Sequence, residues 1–125
     1  MARDMVCIDF DGVLHSYASG WKGADIIPDP PMPGALDALR MYTSHFTVCI
    51  FSARSSQEGG IAAMREWLMV WAEKERLGTA WMENIQFPTV KPPAKVTLDD
   101  RAICFTGAWP TVTQLKEFKP FYARK

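Results

Sequence analysis

The chain has 125 residues, and its 14 basic and 14 acidic side chains cancel to a formal net charge of zero. This length suits one domain over residues 1–125 with a core of its own. The neutral charge provides no general attraction to nucleic acid or to a membrane surface. No segment reaches the roughly 18 apolar residues of a membrane span, and the N-terminus lacks the pattern of a signal peptide. The composition therefore predicts a soluble, cytoplasmic protein.

The first predicted element is a short apolar strand at Met5–Ile8, and Asp9, Phe10, Asp11 and Gly12 follow it directly. A continuous apolar run of this length is typical of a central parallel strand that is covered on both faces. The next stretch, about residues 14–33, is rich in Gly, Pro, Ser and Asp. This composition predicts a short flap or hairpin and no folded cap domain.

Helix and strand patterns alternate through the rest of the chain. Helices are predicted after Pro33 and Gly34, after Gly59 and Gly60 to about Leu77, and over Thr111–Phe118 with a capping box of Thr111 and Gln114. Strands are predicted at Phe46–Phe51, Asn84–Phe87, Val96–Leu98 and Ala102–Phe105. The order predicts an α/β fold of three layers, in which helices flank a mainly parallel, Rossmann-like sheet. Cys7, Cys49 and Cys104 each lie in a predicted strand without metal-site or disulfide spacing, so we expect buried, reduced thiols.

Polar residues follow the predicted strands at the edge where an open parallel sheet binds its ligands. Asp9 and Asp11 alternate along the extended chain, so both side chains can reach one small site. Paired carboxylates repel each other, but they suit a hard divalent cation such as Mg²⁺. A calcium loop would need more acidic ligands after Gly12 than the sequence provides.

Further polar residues stand at the other strand ends: Ser52, Ala53 and Arg54 after the second strand, Lys91 before Val96–Leu98, and Asp99 and Asp100 after it. In this order, the residues resemble the four motifs of the haloacid dehalogenase-like (HAD) superfamily, whose members are mostly magnesium-dependent phosphatases. The resemblance spans Val6–Phe105. It implies a HAD-like fold with minimal or no cap.

The resemblance also implies a role for each residue. Asp9 would be the nucleophile that forms an aspartyl phosphate, and Asp11 would be the general acid and base. Ser52 and the backbone amides near Gly12 and Ala53 would bind the phosphate, together with Lys91. Mg²⁺ would be held by Asp9, the backbone carbonyl of Asp11, and the pair Asp99 and Asp100, with Asp100 preferred for the direct contact. The substrate would be a nucleotide, a nucleic acid end or another phosphorylated molecule, with no membrane partner.

Several alternatives stay open. Lys95 competes with Lys91, and Arg54 could bind a phosphate or pair with a nearby acid. His15 and Trp21 could touch substrate, although flap packing or solvent exposure is the preferred interpretation. The competing functions are a receiver-type phosphoacceptor and a catalytically idle relative that binds phosphate or metal. The sequence leaves the oligomeric state undetermined.

Overall fold

The computed structural model describes residues 3–123, so both ends of the predicted domain, residues 1–2 and 124–125, lie outside the described residues. Its centre is a parallel sheet of β1 (Met5–Ile8), β2 (Thr47–Ile50) and β3 (Val96–Leu98), in the order β2, β1, β3. Cys7 of the central strand lies opposite Cys49 on one side and Thr97 on the other. The carboxyl ends of the three strands therefore meet at one edge of the sheet.

Two long helices build the core with this sheet. They are α1 (Ala35–His45) and α2 (Gly60–Lys74). Alternate strand residues share one buried cluster with both helices, and its main members are Val6, Ile8, Val48, Ile50, Leu36, Leu39, Met64 and Leu68. Because alternate residues of a strand point to the same face, α1 and α2 cover one face of the sheet. None of the helices within residues 3–123 is long and apolar enough to cross a membrane.

The α/β class and the parallel sheet are confirmed, but the prediction of three layers is wrong for residues 3–123. The remaining helix, α3 (Val112–Glu117), buries none of its side chains and contacts no other helix or strand. The predicted capping box of Thr111 and Gln114 is present. With only six residues, α3 is held by its cap rather than by packing on the second face of the sheet.

Two predicted strands do not form as such. In the stretch Asn84–Phe87, only Gln86 pairs, through a single parallel bridge to Cys49. Residues 102–105 form no strand and are exposed, so the prediction of a buried thiol at Cys104 is wrong, whereas Cys7 and Cys49 are buried. Both misplaced predictions rest on segments of only four residues, whose pairing depends on whether a neighbouring strand is within reach. Two 3₁₀ turns, Ala80–Met82 and Phe121–Ala123, complete the described elements.

The loop between β1 and α1 is closed at its base. His15 and Pro31 form an antiparallel bridge, and the Met32 N–H donates to the Leu14 carbonyl at 2.8 Å. Residues between these contacts project as a flap beside the carboxyl edge of the sheet. This position brings flap residues into the site described next.

Candidate active site

Three carboxylates meet where β1 and β3 end. Asp9, Asp99 and Asp100 each offer an oxygen that lies within 4.8 Å of the others. The register brings them together, because the Asp9 N–H donates to the Leu98 carbonyl at 2.9 Å and so joins the two strand ends. We call these three residues the acid cluster. Their oxygens are close enough to share one cation.

Asp100 is the member of the acid cluster that depends most on a ligand. It is 5% exposed, and none of the described residues outside the acid cluster donates a hydrogen bond to either of its carboxylate oxygens. The nearest opposite charge is the Arg101 Nε, at 3.9 Å from Oδ2. A buried carboxylate without donors is costly, and a hard cation removes that cost. The donor set therefore fits a divalent cation such as Mg²⁺, and the burial favours Asp100 over Asp99 for the direct contact.

Gly12 allows this approach of Asp100 to the first loop. Its φ is +83°, and a Cβ at this position would lie 2.5 Å from Asp100 Oδ2. No side chain fits in that space without moving Asp100. The amide of Gly12 itself donates to the His15 carbonyl at 2.8 Å and is therefore not available to a phosphate, whereas the prediction for the other amides near Gly12 and Ala53 stays a prediction.

Asp9 is electrostatically perturbed by its neighbours. Burial, followed by the hydrogen bond that protonated Asp9 shares with the Asp100 carboxylate, raises the pKa of Asp9 from 3.8 to about 8, although the N–H of Phe10 donates to its Oδ1 at 2.8 Å. Without a cation, Asp9 therefore keeps its proton near neutral pH. A divalent ion in the acid cluster would favour the carboxylate and displace that proton.

A cavity of about 190 Å³ lies beside the acid cluster and holds several predicted residues. Its lining consists of Cys7, Asp9, Phe51, Ser52, Ala53, Lys91, Thr97 and Asp99. Lys91 is thus at the cavity, whereas the Lys95 Nζ lies 3.6 Å from Asp4 Oδ2 at the opposite end of β3. This geometry favours Lys91 as the lysine of the site.

Ser52 is positioned by the turn that follows β2. Its Oγ accepts the Arg54 N–H at 3.1 Å, and its own N–H donates to Ser55 Oγ at 3.0 Å. These contacts use Oγ as an acceptor and leave the hydroxyl hydrogen available to a ligand in the cavity.

The Asp11 side chain lies outside the acid cluster, because it binds Arg54. The Arg54 Nε donates to Asp11 Oδ2 at 2.9 Å and Nη2 donates to Oδ1 at 3.1 Å. The other terminal nitrogen donates to flap carbonyls, including that of Gly23 at 2.7 Å. Of the two alternatives for Arg54, the structure contains the ion pair. Since the guanidinium is fully buried, it links the general-acid candidate to the flap.

His15 is a site residue whose role the sequence did not reveal. It is fully buried, so the flap-packing alternative is confirmed and the solvent-exposed one is wrong. The Asp29 N–H donates to Nε2 at 3.2 Å, so that nitrogen is the acceptor. The hydrogen is thereby assigned to Nδ1, which donates to Asp11 Oδ1 at 2.9 Å. A lone histidine in a polar loop gives no sequence signal for such a contact.

A second cavity, of about 260 Å³, opens on the flap side of the same acids. It is lined by Asp9, Asp11, Tyr17, Trp21, Ser52, Ala53, Asp99 and Arg101. A larger, mostly apolar hollow of about 710 Å³ follows residues 101–118 and contains none of the predicted site residues. A further hollow of about 730 Å³ contains Asp99 and Asp100 but not Asp9. The chemistry is assigned to the two smaller cavities because both contain Asp9, together with Ser52, Ala53 and Asp99.

Together, these groups can bind a phosphate dianion. A cation in the acid cluster would lie beside the cavity that Lys91 and Ser52 line, and Asp9 could supply a nucleophilic oxygen there. Comparisons of the chain with protein-family models, curated proteins and solved structures found no match.

Proposed function

We propose that the protein is a Mg²⁺-dependent phosphatase of the HAD-like kind, which hydrolyses a phosphomonoester through an aspartyl phosphate on Asp9. One observation carries the proposal. Asp9 belongs both to the acid cluster and to the lining of the cavity that holds Ser52 and Lys91. A nucleophile, a cation site and two phosphate-binding groups therefore meet in one place.

Mg²⁺ would be held by Asp9 and Asp100, with Asp99 and the backbone carbonyl of Asp11 as further oxygen donors. The buried oxygens of Asp100 support this assignment, because they receive no hydrogen bond from the described residues outside the acid cluster. Bound there, the ion would offset the negative charge of the phosphoryl oxygens.

The side chains of the cavity perform the transfer. Ser52 donates its hydroxyl to one phosphoryl oxygen and Lys91 donates its ammonium to another, so that phosphorus faces Asp9. A bond forms from an Asp9 oxygen to phosphorus as the bond to the leaving oxygen breaks. Water then attacks the same phosphorus, which releases inorganic phosphate and restores the Asp9 carboxylate.

Asp11 handles the protons of both steps. It gives one to the leaving oxygen in the first step and takes one from the attacking water in the second. Asp11 lines the second cavity beside Asp9, and Arg54 and His15 fix the orientation of its carboxyl group. Both partners act as positioning residues.

The test is hydrolysis of p-nitrophenyl phosphate in Mg²⁺ and in EDTA. We expect turnover that requires the metal, disappears in Asp9→Asn and falls by roughly 100-fold or more in Lys91→Met. Lys95→Met is the matched control, because its exposed pair with Asp4 contributes little. Equal rates in EDTA, or full activity of Asp9→Asn, would contradict the mechanism. Mg²⁺ binding by a folded parent that hydrolyses no phosphomonoester would favour the idle binding module.

A further inference from the structure

The second cavity contains three side chains that the phosphoryl chemistry does not use. Tyr17 and Trp21 come from the flap, and Arg101 follows the acid cluster. All three line the same volume as Asp9 and Asp11. They therefore lie where the group attached to a transferred phosphate would extend.

The indole ring of Trp21 is packed against Arg54 on one of its faces. The Arg54 guanidinium carbon lies 4.7 Å from the centre of its ring, and Arg54 is itself fixed by Asp11 and the flap carbonyls. The side chain is nevertheless 44% exposed. Because Arg54 is fully buried beneath the ring, the exposed surface belongs to the side away from Arg54. An indole fixed in this way can stack on a flat ring at a low cost in conformational entropy.

Tyr17 and Arg101 continue this surface. Tyr17 contacts the ring of Tyr122 edge to face at 5.4 Å, and Arg101 Nη2 donates to the Tyr122 hydroxyl at 2.8 Å. The Arg101 side chain is 60% exposed, so its other donors remain accessible from the cavity mouth. A guanidinium there can bind the acceptor atoms of a polar ring or a further phosphate.

We propose that Trp21, Tyr17 and Arg101 form the leaving-group subsite and that the leaving group is a nucleoside unit, free or at the end of a nucleic acid strand. This inference rests on the proposed phosphatase function. A nucleobase combines a flat π face for Trp21 with acceptor atoms on its edge for Arg101. A sugar lacks the π face, and the phenyl ring of phosphotyrosine lacks acceptor atoms on its edge.

The experiment compares kcat/KM for pairs of substrates that differ in the base alone. Adenosine 5′-monophosphate is compared with ribose 5-phosphate, and adenosine 3′-monophosphate with ribose 3-phosphate. Phosphotyrosine and short single-stranded oligonucleotides with a terminal phosphate complete the set. We expect at least one nucleotide to exceed its sugar phosphate by roughly fivefold to 100-fold, the range for one stacked base. The oligonucleotides distinguish a free nucleotide from a strand end.

Variants assign the preference to the subsite. Trp21→Leu should reduce the ratio of nucleotide to sugar phosphate toward one, and Trp21→Phe should retain part of it. Trp109→Leu is the control, because Trp109 is 85% exposed and lines none of the three cavities that contain residues of the acid cluster. Three results would overturn the subsite while the phosphatase function stands. They are a nucleotide to sugar phosphate ratio near one in the parent, a ratio that Trp21→Leu leaves unchanged, and a preference for phosphotyrosine.

If the protein is not a phosphatase, neither p-nitrophenyl phosphate nor any of these esters is hydrolysed, which distinguishes this failure from failure of the subsite. Binding of adenosine monophosphate to the Mg²⁺-loaded parent, which in this case leaves the nucleotide intact, is then followed by quenching of tryptophan fluorescence. Quenching that persists in Trp109→Leu and is lost in Trp21→Leu would support the subsite. Absence of quenching would overturn it.

Discussion

Replacement of Arg54 by leucine tests how the flap is attached to the site. In the structure, the fully buried guanidinium pairs with Asp11 and donates to three flap carbonyls, those of Gly23, Ala24 and Ile26. Arg54→Leu keeps an apolar side chain of smaller volume in place and removes every donor. Among the described residues, the Asp11 side chain, which is 15% exposed, then keeps only its hydrogen bond with His15.

The loss of folding stability expected for Arg54→Leu follows from these contacts. Breaking a buried ion pair by removing one partner costs about 3–5 kcal/mol, mostly because the remaining charge is left unpaired. The three carbonyls add little, since they belong to partly exposed or exposed flap residues that water can reach. We therefore predict a loss of about 3–5 kcal/mol, which is a large share of the 5–15 kcal/mol typical of a domain of about this size.

The assay is urea unfolding followed by circular dichroism, with Arg65→Leu as the control. Arg65 is exposed and stacks on Phe87 at 4.8 Å, so its removal should cost no more than about 1 kcal/mol. Combining Arg54→Leu with Asp11→Asn should cost less than the sum of the two single changes. Equal losses for the two arginines, or strict additivity of Arg54→Leu and Asp11→Asn, would refute the reasoning.

Two further predictions concern the acid cluster. The pKa of Asp9, raised to about 8, means that the native state binds this proton more tightly than the unfolded chain, whose value is 3.8. Its contribution to the stability of the metal-free protein is complete below pH 3.8 and is lost as the pH rises through about 8. Because Mg²⁺ displaces the proton of Asp9, calorimetry should show a Mg²⁺ affinity that increases about tenfold per pH unit up to about pH 8. A Mg²⁺ affinity that stays constant between about pH 6 and 8 would contradict this. Gly12→Ala should lower both stability and Mg²⁺ affinity, since its Cβ would meet Asp100 Oδ2 at 2.5 Å. Gly20→Ala shares the positive φ but has nothing within 4 Å, so it should cost only about 1–2 kcal/mol and leave the affinity unchanged; equal effects of the two changes would argue against the steric explanation.

Local sequence patterns predicted the elements that form the core. Apolar runs identified β1 and β2, whose side chains are mostly buried, and helical spacing with flanking glycines identified α1 and α2. β3 was also predicted, but its Val96 and Leu98 are exposed. These patterns succeed because burial on one face dictates residue type along the whole element. Residues 102–105 have a similar apolar composition, but no strand pairs with them, and Leu98 of the neighbouring β3 is itself 37% exposed. Pairing is a property of the fold rather than of the segment.

The site residues show the same contrast between what local sequence predicts and what depends on the fold. The strand-end position of Asp9, Asp99 and Asp100 was sufficient to predict that they meet, because parallel strands end at one edge. The contact of His15 with Asp11 depends on how the flap closes over the loop, and the burial of Arg54 depends on three flap carbonyls. Neither loop closure nor the direction of a long side chain leaves a periodic signal in the sequence.

The central claim is covalent transfer of the phosphoryl group to Asp9, and trapping the intermediate tests it most directly. The Mg²⁺-loaded protein is quenched during turnover of p-nitrophenyl phosphate, reduced with borohydride and digested for mass spectrometry. An aspartyl phosphate is reduced to homoserine, so the account predicts that conversion at Asp9 in the parent and its absence without substrate or in Asp9→Asn. Turnover accompanied by no conversion at Asp9, or by conversion at another aspartate, would contradict the account.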